Sequence, residues 1–86
     1  MENSEQIEAI AATAARAGAI KYLEQERGRP EPLTVGCVVL AIAGDIGCAL
    51  YDNLYSYNAI DAEERKEIAR RALKDVGYPG AGEVAR

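Results

Sequence analysis

The stretch Thr34–Ser56, TVGCVVLAIAGDIGCALYDNLYS, decides how this chain of 86 residues folds. Wound at about 100° per residue, it lines up Cys37, Ala41, Gly44, Cys48, Tyr51 and Tyr55 in one narrow stripe. Val35, Val39, Ile42, Ile46 and Leu50 fall on the opposite side, and Gly36, Leu40, Ala43, Gly47 and Leu54 fill one flank. Only the remaining flank, with Thr34, Asp45, Asp52 and Ser56, is polar. The β-branched run at Val35, Val38 and Val39 would also suit a strand. Length decides for helix, because strands rarely pass about ten residues and no second strand exists to pair with this one. A helix apolar almost all round demands cover on several sides.

Working outward, the punctuation defines two more helices. The first opens near Asn3 or Ser4, both good N-caps, with Glu5 and Glu8 complementing the helix dipole. Its early face is Ile7, Ile10, Ala11, Ala14 and Ala17, and the stripe drifts after Gly18, so a bend or a change of packing partner is expected there. Gly28, read as a left-handed cap, and Pro30 stop it. The third helix carries a capping box of acidic type, Asp61 with Glu64. It ends on Gly77 and Tyr78 in the pattern of a Schellman motif, which folds Tyr78 back onto Leu73. The expected fold is therefore all-α: a small bundle of helices over about 4–28, 33–56 and 62–76 around a hydrophobic central helix. Residues 1–79 form a single domain, and 80–86, with Gly80-Ala81-Gly82, a flexible tail.

So short a chain hides only roughly 60–65% of the surface its unfolded form exposes, so its core is marginal. Self-association is the expected supplement, through a close-packed seam of small residues at Cys37, Ala41, Gly44 and Cys48. Within the chain, the alanine-rich face of the first helix is expected to dock on that same seam.

The composition excludes much chemistry. There is no His, hence neither the commonest general base nor the commonest metal ligand, and serine occurs only at Ser4 and Ser56. Asp45 and Asp52 lie about 10 Å apart along one helix, too far to share a proton. Cys37 and Cys48 are about 16 Å apart, too far for a disulfide and too few for zinc. No glycine-rich phosphate loop precedes a helix. The reading is no enzyme, no cofactor and no metal.

Net charge is −4, and no Lys or Arg occurs between Pro30 and Glu64. An acidic middle repels phosphate, so no nucleic-acid partner is expected. Leu33–Leu50 is nearly long enough to span a bilayer, but Asp45 inside it costs roughly 2.5–3.5 kcal/mol on insertion. No membrane partner is expected. Free buried thiols and an acidic start without a leader pattern predict a cytoplasmic protein.

By elimination the expected function is a non-enzymatic protein-binding module, of the adaptor or inhibitor type that phages and mobile elements carry. It acts as a homo-oligomer by occupying another protein. Asp52, Asn53, Tyr55, Tyr57 and Asn58, clustered where the central helix ends, are the expected partner-binding residues. The alternatives are an oligomer binding a small ligand in a Tyr/Asn-lined pocket between subunits, and a small single-span membrane protein.

Overall fold

The computed structural model describes residues 4–31 and 33–81. Three helices, α1 (Ser4–Glu26), α2 (Val35–Leu54) and α3 (Ala62–Val76), each pack against the other two. Gly18 of α1 lies against Ile42 and Asp45 near the middle of α2, and the phenol of Tyr78, just past α3, donates to the carbonyl of Leu33 at 3.1 Å. Both neighbours therefore run antiparallel to α2, and α1 and α3 run parallel to each other.

The core forms around the branched side of α2. Val38, Val39, Ile42, Ile46 and Leu50 are buried among Ala11, Ala15 and Ala19 of α1 and Ala69 and Leu73 of α3. Burial of each such aliphatic side chain stabilises by about 1.5–3 kcal/mol, so the face of α2 with most of its branched side chains turns inward. This corrects the expected docking. α1 sits on the branched face of α2, not on the Cys37–Cys48 stripe.

The buried face of α1 also differs, because Ala15 and Gly18 are buried and Ala17 is exposed. Gly18 marks no break in the helix. A Cβ there would sit 3.2 Å from Ile42 Cγ1, so its hydrogen lets α1 and α2 approach closely.

The caps account for the boundaries. Asp61 accepts from the Glu64 amide at 2.9 Å, as the capping box requires. At the far end the Tyr78 amide bonds the Leu73 carbonyl at 3.0 Å and the Gly77 amide the Lys74 carbonyl at 3.1 Å, with Gly77 at φ 78°: a Schellman motif. Thr34 caps α2 by accepting from the Cys37 amide at 3.3 Å. α1 ends two residues before the expected 28. Gly28 is not left-handed; instead the amides of Arg27, Gly28 and Arg29 each bond a carbonyl three residues back, which tightens the last turn.

Where a loose tail was expected from residue 80, Tyr78-Pro79-Gly80-Ala81 forms a closed turn. The Ala81 amide bonds the Tyr78 carbonyl at 3.0 Å, and Gly80 takes the positive φ of 87° that a type II turn needs after proline. Gly80 backs onto Val35, which ties the turn to the start of α2. The rest of the expected tail, 82–86, lies outside the described residues, as do Met1, Glu2, Asn3 and Pro32.

Candidate functional site: the outer face of the central helix

Because the branched side of α2 faces α1 and α3, its opposite side faces out. Cys37 and Cys48 are exposed, free thiols, and Ala41 and Gly44 between them are half-buried. The expectation that both cysteines are buried fails within the single chain for that same reason. Leu40 beside them is 60% exposed, a large aliphatic side chain left in water. Tyr51 continues the face to the end of the helix.

At that end Tyr55 is 82% exposed and holds a left-handed backbone, φ 56° and ψ 32°. It is the one non-glycine residue with positive φ among those described. An L-residue pays roughly 1–2 kcal/mol for this conformation. Its amide makes the last helical bond of α2, to the Tyr51 carbonyl at 2.7 Å. Its ring stands edge-on to that of Tyr51, centroids 5.8 Å apart. Asp52 and Asn53 are exposed beside it, and the Asn53 side chain donates back to the Ala49 carbonyl at 2.8 Å.

Tyr57 and Asn58, expected in the same patch, are exposed like Asp52, Asn53 and Tyr55, and each also makes contacts within the chain. The Tyr57 ring lies flat over Gly47, where any Cβ would fall inside it, and its hydroxyl reaches the space above Gly44. Arg65 of α3 covers the ring's other side, its guanidinium 4.7 Å from the centroid. One nitrogen of Arg65, Nη1, donates to the carbonyls of Ile60 at 2.7 Å and Tyr57 at 3.3 Å and to Asn58 Oδ1 at 2.9 Å.

Arg65 is only 7% exposed, and it organises the α2–α3 connection from inside. It is not among the residues expected at the site. A signal existed: a base in the opening turns of a helix opposes the dipole, so it needs another purpose. Of the glycines of α2, Gly47 thus serves an aromatic ring of the same chain, while Gly44 meets only the Tyr57 hydroxyl, 3.9 Å from where a Cβ would stand.

On the side away from α2 a groove of about 780 Å³ runs between α1 and α3, closed at one end by Ala59 and Ile60. Its floor is apolar and its walls are charged. Among the described residues no three His, Cys, Asp or Glu side chains gather where they could hold a metal ion. α2 itself is long and apolar enough to cross a membrane by length and composition, a test that the core helix of a soluble bundle also passes.

The geometry defines a small all-α three-helix bundle with an uncovered apolar ridge on its central helix. Compared with protein-family models, curated proteins and solved structures, the chain matches none.

Proposed function

We propose that this chain is a non-enzymatic protein-binding module that pairs with a second copy through the outer face of α2. It acts by occupying another protein with the tyrosine-bearing end of that helix. The observation that carries the reading is the exposure of Leu40, Tyr51 and Tyr55 on one helix whose opposite face already fills the core. Fully burying a leucine side chain gains about 1.5–3 kcal/mol, and Leu40, 60% exposed, has more than half of that still to gain. The low profile of Ala41 and Gly44 between them lets a second helix come close. The left-handed cap at Tyr55 ends α2 and leaves its ring 82% exposed and edge-on to Tyr51, which supports recognition at that end.

Self-association is tested by absolute mass from light scattering after gel filtration, in reductant and without detergent. The native chain should elute as a discrete dimer or larger species, and Leu40→Glu as a folded monomer of about 9.2 kDa. Leu40 is a cleaner probe than Gly44, where a side chain would also press on Tyr57. A monomeric native chain overturns the pairing. Aggregation relieved only by detergent would instead favour membrane residence of α2.

A further inference from the structure

The groove between α1 and α3 has an ordered charge pattern that the pairing of α2 leaves unused. On the α1 wall Ser4, Glu8, Ala12 and Arg16 follow at every fourth residue; on the α3 wall Glu64 is followed by Arg71 and then Asp75. Because α1 and α3 are parallel, both walls run from acid to base in the same direction. Ile60 and Ile68 lie between them as floor. The α1 wall from Ser4 to Arg16 is about 18 Å long, the span of a short helix.

We infer that this groove binds an amphipathic helix of another protein, laid antiparallel to α1 and α3 with acids in its first turns and bases in its last. Antiparallel packing puts the helix's C-terminal bases against Glu8 and Glu64 and its N-terminal acids against Arg16 and Arg71. The same order suits the helix's own dipole and opposes it to the two dipoles below. Asp75 subtracts from the basic end without reversing it. The ion pair of Arg71 with Glu64, 3.9 Å long and largely in solvent, is worth little and opens at small cost.

A second copy of this chain is a poor occupant. The exposed ridge of α2 has no base to answer Glu8 and Glu64, and α3, whose charges are ordered correctly, has spent its apolar side on the core. The groove is independent of the α2 face and stands or falls apart from it.

The test uses two fluorescein-labelled 18-residue peptides of identical composition with the same leucine stripe. One carries Glu in its first two turns and Lys in its last two; the other has the reverse order. By fluorescence anisotropy at low salt the acid-first peptide should bind roughly tenfold tighter, a preference that shrinks in 0.5 M NaCl. Glu8→Lys with Arg16→Glu, which sets the two walls against each other, should weaken the binding of both peptides. Ala12→Arg, an exposed change on the α1 wall, should abolish binding while circular dichroism stays helical. Leu40→Glu should bind both peptides as the native chain does. Equal binding of the two peptides, full binding by Ala12→Arg, or loss of binding in Leu40→Glu would each overturn the groove. The last of these would move the contact to the α2 face.

Discussion

Two glycines of α2 show how little a residue's identity means without its neighbours. At Gly36 nothing lies within 4 Å of where a Cβ would stand, whereas at Gly47 the Tyr57 ring occupies that place. Gly36→Ala should therefore raise stability by up to about 1 kcal/mol through helix propensity alone. Gly47→Ala gains the same propensity but must expel a ring that Arg65 holds from above, an overpacking cost of about 1–3 kcal/mol. Urea midpoints should move in opposite directions for the two variants.

Tyr78 gives a second test at this scale. Burial raises its phenol above the ordinary value of 10.0, with Glu26 adding to the rise and Arg29 opposing it. A raised folded-state value means the fold favours the neutral phenol. The contribution is whole below pH 10 and is lost as the pH rises beyond it. The gap in urea midpoint between the native chain and Tyr78→Phe should hold constant from pH 7 to about 9.5 and narrow above that.

The elements were legible in unequal measure. α3 could be read to the residue because its ends are written in local chemistry, Asp61 with Glu64 at one and Gly77 with Tyr78 at the other. α2 was legible as a helix but not in its orientation. Both of its faces are apolar, and which one turns inward depends on what α1 and α3 bring to it. The larger aliphatics won. At the expected site Asp52, Asn53, Tyr55, Tyr57 and Asn58 are all exposed, but the sequence did not show that Tyr57 and Asn58 also form the cradle of Arg65. That cradle links residues from two elements across a turn, and no periodicity records it.

The helix end also yields a prediction. Glycine is the residue a left-handed helix terminus prefers. Tyr55→Gly should gain about 0.5 kcal/mol in urea unfolding, the relief of strain less the added freedom of the unfolded chain. It should at the same time weaken capture of a partner at that end. A variant that is neither more stable nor weaker in binding would remove Tyr55 from the proposed contact.

For the whole molecule the two thiols serve as reporters, since Cys37 and Cys48 both lie on the α2 ridge. If copies pair through that ridge, alkylation of both should slow as protein concentration rises through the pairing range. In Leu40→Glu the rate should not depend on concentration. Mass spectrometry resolves the two sites, and slowing of one alone would shift the contact along the helix. The same experiment separates pairing from a general loss of reactivity, because the variant keeps both thiols.

The groove is lined by α1, α3 and the turn at Ala59 and Ile60, with no residue of α2. Two copies joined along their central helices would hold their grooves on the two outer sides of the pair, facing away from each other. Such a pair has a valence of two and the reach of a bridge. A partner with a single suitable helix would be cross-linked to its twin. One flexible partner with two such helices would be held far more tightly than either helix alone, provided its linker spans the pair.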